Sequence, residues 1–236
     1  MEYAVYSNKG KLRENNEDSY LIKSESFLLF AVADGMGGHQ AGEVASKLAI
    51  DYLGDYQFDL KGDLFAQIEE VIKEINQEII RTGLKDPECI GMGTTLSLGF
   101  IYEQDLYIGH VGDSRIYLFR DDKLRQLTRD HSLVNQLIEQ NRITSEEAFN
   151  HPQRHIITQA LGIETDLKVD LKKMALKKGD LLLFCTDGLS DMIKFKDIET
   201  LFLQQSDINK LSNLLGEKAM ENGGNDNITL IICKMG

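Results

Sequence analysis

The sequence predicts an α+β fold in which strands and helices are grouped along the chain instead of alternating. Apolar runs between residues 95 and 119 follow one another through links too short for a crossover helix, which implies antiparallel pairing. The two longest segments with helical spacing also follow one another. Because 236 residues lie within the range that one domain fills, we expect a single domain over residues 1–236.

Six short runs rich in Val, Ile, Phe and Tyr have the length and composition of strands. They span residues 27–33, 95–102, 106–111, 116–119, 181–185 and 229–233. The sequence has only two prolines and no internal repeat or Pro/Gly/Ser-rich linker, so nothing in it marks a domain boundary.

Residues 41–53 and 64–80 carry apolar residues at helical spacing, which predicts two helices. Asp63 is a suitable N-cap for the second helix, and Gly83 is predicted to end it. One face of that helix is marked by Leu64, Ile68, Val71, Ile75 and Ile79.

The segment from Asp130 to Gly162 differs from the rest of the chain, because its polarity rises and strand signals vanish. It is predicted to be a long irregular or helical excursion, and excursions of this length are usually functional or mobile. A third helix is predicted from Ile208 to about Glu221, ended by the glycines at 223–224.

The apolar fraction of 42% and the charged fraction of 27% are typical of a soluble globular protein. No stretch approaches the ~20 apolar residues of a membrane span, and residues 1–10 lack the apolar core of a signal peptide. We therefore expect a cytoplasmic protein without membrane insertion. Cys89, Cys185 and Cys233 have no short spacing, which predicts buried thiols instead of disulfides or a zinc site.

Charge and spacing exclude several function classes. The formal net charge of -12 repels phosphate backbones, which argues against nucleic-acid binding. A cysteine-based phosphatase needs Cys-x5-Arg, but the residues six after Cys89 and Cys185 are Thr95 and Asp191, and Cys233 is too near the end. The sequence has no GxxxxGKS/T loop, so nucleotide hydrolysis of the P-loop kind is not supported.

Four aspartates stand at the ends of predicted strands: Asp34, Asp113, Asp187 and Asp226. If those strands belong to neighbouring sheets, their ends can converge, and clustered carboxylates repel one another unless they bind protons or cations. Ligands that are all oxygen favour the hard ions Mg²⁺ and Mn²⁺. The alternative is that the Asp-Gly pairs at 34–35 and 187–188 are ordinary hairpin turns.

The aspartates belong to seven longer segments, which follow one another between residues 13 and 229. The segments are RENNEDS (13–19), ADGMGGH (33–39), GMGTTL (91–96), VGDSRIY (111–117), HPQRHIITQALG (151–162), TDGLSDM (186–192) and GGNDNIT (223–229). In this order they resemble the motifs of the metal-dependent type 2C (PPM) serine/threonine protein phosphatases. The DGMGG form and the compact length resemble bacterial single-domain members.

The resemblance implies a four-layer α-β-β-α sandwich of two antiparallel sheets flanked by helices, with a metal site in a cleft at one end. By the same resemblance, Asp34 bridges two divalent ions, Mn²⁺ or Mg²⁺. Asp187 and Asp226 complete the shell of one ion, and Glu17 with the carbonyl of Gly35 holds the other. Two ions about 3.5–4 Å apart can share a water and activate it for attack on phosphorus.

Arg13 lies four residues before Glu17, so a short turn can bring its planar guanidinium beside the ions, where it suits bidentate phosphate binding. A surface ion pair is the alternative. The acid that protonates the leaving oxygen stays open, because Met36 replaces the His found after Asp-Gly in eukaryotic members. His39 or a metal-bound water could serve, and His39 could equally be structural or contact substrate.

Asp113 and Asp191 match positions at which bacterial relatives bind a third, weaker ion, although each could also be a turn or capping residue. The excursion over about 131–162 resembles the variable flap beside the family's catalytic cleft.

The sequence thus predicts hydrolysis of phosphoserine and phosphothreonine in proteins by a water activated between two divalent ions. A degenerate phosphopeptide-binding or signalling module and a small-molecule phosphohydrolase are the alternatives. By resemblance, the expected partners are substrates of a cognate serine/threonine kinase, and the protein is expected to be a monomer.

Overall fold

In the computed structural model, which describes residues 2–37 and 41–236, eleven strands form two antiparallel sheets. Sheet A has the order β1 (Glu2–Asn8), β11 (Ile228–Lys234), β10 (Leu181–Cys185), β7 (Arg115–Arg120) and β8 (Lys123–Gln126). Sheet B has the order β2 (Asp18–Ser24), β3 (Leu28–Met36), β5 (Leu96–Tyr102), β6 (Asp105–Val111) and β9 (Asp170–Ala175), and β4 (Gly93–Thr94) pairs with the end of β3.

Helices cover the outer face of each sheet. On sheet B lie α1 (Ala41–Asp55) and α2 (Leu64–Lys85), whereas α6 (Phe195–Gln204) and α7 (Ile208–Glu221) lie on sheet A. Three shorter helices are α3 (Leu133–Glu139), α4 (Ser145–Phe149) and α5 (Asp187–Ser190). The predicted α+β sandwich of four layers is therefore confirmed.

The two sheets pack through a layer of buried aliphatic and aromatic side chains. Phe30 of β3 and Phe184 of β10 are fully buried and stack with their ring centroids 5.7 Å apart. Gly99 of β5 leaves room for this pair, because a Cβ there would lie 2.6 Å from Phe184 Cζ. Burying each phenylalanine contributes roughly 1.5–3 kcal/mol, so this layer holds the sheets, and the loops at their ends, in a fixed relation.

All six predicted strands are present, and each differs from its predicted bounds by at most a few residues at its ends. The strands that were not predicted include β1, β2, β8 and β9, in which exposed and half-buried positions interrupt the apolar pattern. Each of them is a terminal strand of its sheet, with one neighbour only in the described fold, so a long apolar run is not required.

The predicted helices over 41–53, 64–80 and 208–221 are confirmed, and Asp63 caps the second by accepting the amide hydrogens of Phe65 and Ala66. The prediction that Gly83 ends that helix is wrong, because the helix runs on to Lys85. A Cβ at position 83 would lie 2.9 Å from the Cys89 carbonyl oxygen, so this glycine serves close packing. All three cysteines are buried thiols, as predicted.

The segment 131–162 contains α3 and α4, and both of its ends lie at the sandwich. Bridges between Ser132 and Ile157 and between Thr94 and Leu161 close the segment at its base. Ser132 caps α3, and Thr144 forms a capping box at α4. Within the described chain, no helix is long and apolar enough to cross a membrane.

Candidate metal centre and active site

The predicted site aspartates converge at one end of the sandwich. Antiparallel pairing places the end of β3, with Asp34, beside the start of β2, and Asp18 is the direct partner of Asp34. In sheet A the end of β10 meets the start of β11 and of β7, which brings together the turns that carry Asp187, Asp226 and Asp113. We call Asp18, Asp34, Asp113, Asp187 and Asp226, together with Glu17, the acidic cluster.

The backbone of Asp34 is held by the neighbouring β4–β5 segment. Its amide donates to Thr95 Oγ1 at 2.9 Å, and Thr94 Oγ1 donates to its carbonyl oxygen, also at 2.9 Å. Both threonines are fully buried. These bonds leave the Asp34 carboxylate to face the other members of the acidic cluster.

Burial and mutual repulsion dominate the electrostatics of the acidic cluster. Burial raises the pKa of Asp34 well above its ordinary value, and the negative charges of Asp187 and Asp18 raise it further. The pKa of Asp187 is raised to about 7 by burial and then by the charges of Asp191 and Asp226. The repulsion among these carboxylates therefore favours the binding of protons or of a divalent cation.

Two carboxylate oxygens of the acidic cluster are completely buried and have no hydrogen-bond partner among the described residues. They are Asp18 Oδ1 and Asp187 Oδ1, and both are buried. The other oxygen of Asp18 accepts the hydroxyl hydrogen of Thr186 at 2.9 Å, which fixes the carboxylate. A buried carboxylate oxygen without a partner is energetically unfavourable, so these two atoms are suited to a cation and its waters.

Asp18 was not predicted as a site residue, although it lies in the RENNEDS segment directly after Glu17. Its position follows from strand β2, which the apolar pattern did not reveal. The pKa of Asp18 is raised to about 7, chiefly by burial and also by the charge of Asp187, while the neighbouring hydroxyls of Thr229 and Thr186 act to lower it.

Glu17 and Gly35 meet at the start of α1, where Gly42 leaves a cradle. A Cβ at position 42 would lie 2.4 Å from Glu17 Oε2 and 2.8 Å from the Gly35 carbonyl oxygen. A side chain there would fill the space that these two oxygens face. The two oxygens thus lie beside the same point, as two ligands of one ion require.

Asn227 joins the N-terminal loop to the turn that carries Asp226. Its side-chain oxygen accepts the Glu17 amide at 2.8 Å, and its Nδ2 donates to the carbonyl oxygens of Lys9 and Asn15. Its own amide donates to Asp226 Oδ1 at 2.8 Å. Asn227 was missed because a single buried asparagine has no distinguishing sequence signal before the loops are placed.

Arg13 lies at the rim of the acidic cluster. Its Nη2 donates to Asp226 Oδ2 at 2.7 Å, and about half of its side chain is exposed. That hydrogen bond and the charges of Asp226 and Glu17 raise its pKa. The exposed guanidinium has further N–H donors that an anion entering the cluster could use.

Asp191 lies at the edge of the acidic cluster nearest the 131–162 segment. Its Oδ2 accepts from Arg154 Nε at 3.1 Å and lies 3.6 Å from His155 Nδ1. Ligand atoms of His155, Asp187 and Asp191 lie within 4.8 Å of one another. His155 was not predicted as a possible ligand, because only the folded segment brings it to Asp191.

Asp113 is nearly buried, and its pKa is raised well above the ordinary value by burial and then by the charges of Asp187 and Asp130. His39, one of the two candidates for the general acid, lies outside the described residues. Its role stays a prediction.

The sequence is similar to one family model and to known proteins. The family model described as Protein phosphatase 2C matches residues 7–161. The serine/threonine phosphatase Stp of Listeria innocua is 36% identical over 233 residues, which cover 96% of this chain and 92% of that protein.

Solved structures agree over the whole fold. The serine/threonine phosphatase Stp1 from Staphylococcus aureus superimposes with a TM-score of 0.94 and 35% identity, covering 100% of this chain and 95% of that one. The catalytic domain of the serine/threonine protein phosphatase PstP, solved in complex with two manganese ions, gives a TM-score of 0.87 and 37% identity, covering 99% of this chain and 97% of that one.

Proposed function

This chain belongs to the protein phosphatase 2C family, and on that premise we propose that its acidic cluster holds two divalent ions for hydrolysis of phosphoproteins. It is a metal-dependent serine/threonine protein phosphatase, with Mn²⁺ or Mg²⁺ as cofactor. The observation that carries the proposed site is the pair of buried carboxylate oxygens, Asp18 Oδ1 and Asp187 Oδ1, that lack partners among the described residues.

We propose the ligands that the resemblance to the family implies, and the contacts within the cluster support them. Asp34, which lies near the other aspartates of the cluster, would bridge the two ions. Asp187 and Asp226, from the turns of sheet A, would complete one shell, whereas Glu17 and the Gly35 carbonyl, which lie at the cradle of Gly42, would complete the other. All of these donors are oxygens, which suits Mn²⁺ and Mg²⁺.

The chain's own residues bind and orient the substrate around this centre. Two divalent ions held by these residues would supply an activated water for attack on the phosphorus atom. Arg13, with its guanidinium at the rim, binds the phosphate oxygens through charge-assisted hydrogen bonds. Asp18, fixed by Thr186, offers Oδ1 as an acceptor that orients water within the cluster.

A third, weaker cation is proposed at the edge of the cluster, held by Asp113 and Asp191. The proximity of Asp191 to Asp187 and His155 supports it, because three ligand atoms within 4.8 Å can surround one ion. Few protein ligands leave such an ion mostly hydrated and easily lost.

Residues 1–236 are proposed to form one catalytic domain, in which 131–162 is a flap beside the cleft. Family membership also supports three finer proposals: a cytoplasmic location, a monomeric state and substrates shared with a cognate serine/threonine kinase.

The complete set of carboxylates disfavours a degenerate binding module. A small-molecule phosphohydrolase is disfavoured by the relatives, which are named serine/threonine phosphatases.

Replacement of Asp34 tests the proposed site. Asp34→Asn should remove nearly all turnover of a phosphothreonine peptide and lower the number of bound Mn²⁺ ions, while the circular dichroism spectrum stays that of the folded protein. Asp51→Asn, at an exposed aspartate on α1, is the matched control and should keep both properties. Near-wild-type turnover by Asp34→Asn would show that Asp34 is not a ligand of the proposed metal site.

A further inference from the structure

A cavity of about 700 Å³ opens beside the acidic cluster, between the flap helices α3 and α4 and the start of α6. Its lining includes Asp113, Asp187 and Asp191, which belong to the acidic cluster or its edge. The helices contribute five apolar residues, with polar and charged residues beside them: Val134, Ile138, Ala148, Phe149 and Phe195. We call these five residues the apolar pocket. The proposed catalytic reaction uses the aspartates and leaves the apolar pocket without a role.

One wall of the cavity is fixed by a buried ion pair. Arg115 Nε lies 3.0 and 2.9 Å from the two carboxylate oxygens of Asp130, and its Nη2 lies 2.6 Å from Oδ2. Arg115 Nη1 also donates to the hydroxyl of Tyr117 at 3.2 Å. A bidentate pair of this kind is geometrically specific, so the wall is ordered before any ligand enters.

Pairing also removes charge from the cavity. Arg115 neutralises Asp130, and Arg154 pairs with Asp191. Lys194 and Lys196 line the cavity near the apolar pocket, and within residues 2–37 and 41–236 neither forms an ion pair. The Lys194 ammonium lies 5.7 Å from the centre of the Phe149 ring. Glu146 and Asp197 also line the cavity, so the apolar side chains lie among two cations and two carboxylates that balance in charge.

The occupant is constrained by continuity with the acidic cluster. Asp187 lines the same cavity as the apolar pocket, so a protein segment whose phosphate lies at the acidic cluster has its neighbouring residues within reach of the pocket, since each extended residue advances the chain by about 3.3 Å. Phe195 is 42% exposed, which leaves apolar surface uncovered at this place. A side chain that covers it removes apolar area from water on both partners.

We propose that the apolar pocket receives an aliphatic or aromatic side chain of the substrate protein, a few residues from the phosphorylated serine or threonine. This specificity site rests on the proposed function, because it assumes that the phosphate lies at the acidic cluster. It predicts that the enzyme distinguishes phosphoproteins by an apolar residue near the phosphorylation site.

A peptide series on the wild-type protein is the first test. A soluble phosphothreonine peptide receives leucine in turn at each of the three positions on either side, with serine and aspartate at the same positions for comparison. Leucine at one position should raise kcat/KM about tenfold over serine, as for apolar groups in a fitted pocket. Equal values for leucine and serine at every position, or a preference for aspartate, would overturn the proposal.

Variants locate the effect within the structure. Phe149→Ala and Ile138→Ser should each lower the ratio of kcat/KM between the leucine and serine peptides towards one. Leu203→Ser, at an exposed leucine of α6 that is not among the cavity-lining residues, should keep the wild-type ratio. An unchanged ratio in both pocket variants would refute the assignment. Because a ratio is compared within each protein, partial loss of folded enzyme does not affect it.

The outcomes separate the two proposals. If no peptide is dephosphorylated in the presence of Mn²⁺, the proposed function fails and the specificity site fails with it. If all peptides are dephosphorylated equally well, the phosphatase activity stands and only the specificity site is refuted.

Discussion

Arg154 Nε lies 3.1 Å from Asp191 Oδ2, so a residue of the flap is ion-paired with a carboxylate at the edge of the acidic cluster. Both side chains are mostly buried, which makes their interaction stronger than that of a pair in open solvent. His155, the next residue, lies 3.6 Å from the same oxygen. The position of the flap and the charge of the cluster edge are therefore coupled.

Loss of Arg154 should affect large substrates most. Arg154→Ala releases the flap from Asp191, and a loop beside a rigid site governs the recognition of large partners. We expect turnover of a phosphoprotein to fall more than turnover of a small chromogenic ester. Arg142→Ala, at an exposed arginine of the same flap, is the control and should change neither. Equal losses on both substrates for Arg154→Ala would argue against a recognition role.

Asp191 should matter most when the leaving group is poor. If a third ion at Asp113 and Asp191 orders the water that protonates the leaving oxygen, Asp191→Ala slows alkyl phosphates much more than activated aryl phosphates. The comparison is a series of esters of increasing leaving-group pKa. If the logarithm of the rate depends on leaving-group pKa with the same slope in Asp191→Ala as in the wild type, this role is rejected. An unchanged number of bound ions in the Asp113→Ala/Asp191→Ala variant would reject the third site.

Arg13 should contribute mainly to substrate binding. A guanidinium that holds the phosphate acts in the ground state and the transition state alike, so Arg13→Ala should raise KM by about tenfold or more with a smaller change in kcat. Arg13→Lys keeps the charge but loses the planar fork of N–H donors. Its KM should therefore lie between those of the wild type and Arg13→Ala. Unchanged KM and kcat in Arg13→Ala would show that Arg13 does not bind the phosphate and forms only a surface ion pair.

The metal-free protein should lose stability as the pH rises through neutrality. The pKa values of Asp18 and Asp187 are raised to about 7 in the fold, whereas an unfolded aspartate has a pKa of about 4. Below pH 7 the folded state therefore holds protons that the unfolded state has released. The free energy of unfolding then falls with rising pH, by up to about 1.4 kcal/mol per pH unit for each such proton.

His110 acts in the opposite direction at lower pH, because burial lowers its pKa to about 4. Its contribution to the free energy of unfolding rises with pH and is nearly complete at its unfolded pKa of about 6.5. The fall due to Asp18 and Asp187 levels off above their folded pKa of about 7, so the measurement belongs between about pH 6.5 and 7.5. Urea unfolding in a chelator should show falling stability over this range, and saturating Mn²⁺ should abolish the fall. A metal-free stability that rises over the same range would contradict the proposed protonation of the cluster.

The parts of the site that the sequence predicts are those set by local pattern. Asp34 and Asp187 follow apolar runs long enough to identify the strands, so their position at strand ends could be inferred before any contact was known. Asp18 could not be placed in the same way, because β2 is a half-buried terminal strand and its pairing with Asp34 depends on register.

Contacts that arise only from tertiary packing could not be predicted from the sequence. His155 reaches Asp191 across 36 positions of the chain, through the fold of the flap. The apolar pocket combines residues of α3, α4 and α6, which have no shared motif. The need for glycine at position 42 also depends on tertiary packing, because the chain approaches Glu17 and Gly35 closely there and forms no turn that requires glycine.

The dependence of turnover on metal tests the central claim most directly. Protein stripped with a chelator and freed of it should show almost no turnover of a phosphothreonine peptide, because the carboxylates alone cannot activate water. Titration with Mn²⁺ should restore turnover together with the binding of about two ions per chain. Full turnover that persists in excess chelator would contradict the claim that the acidic cluster is a metal-dependent active site.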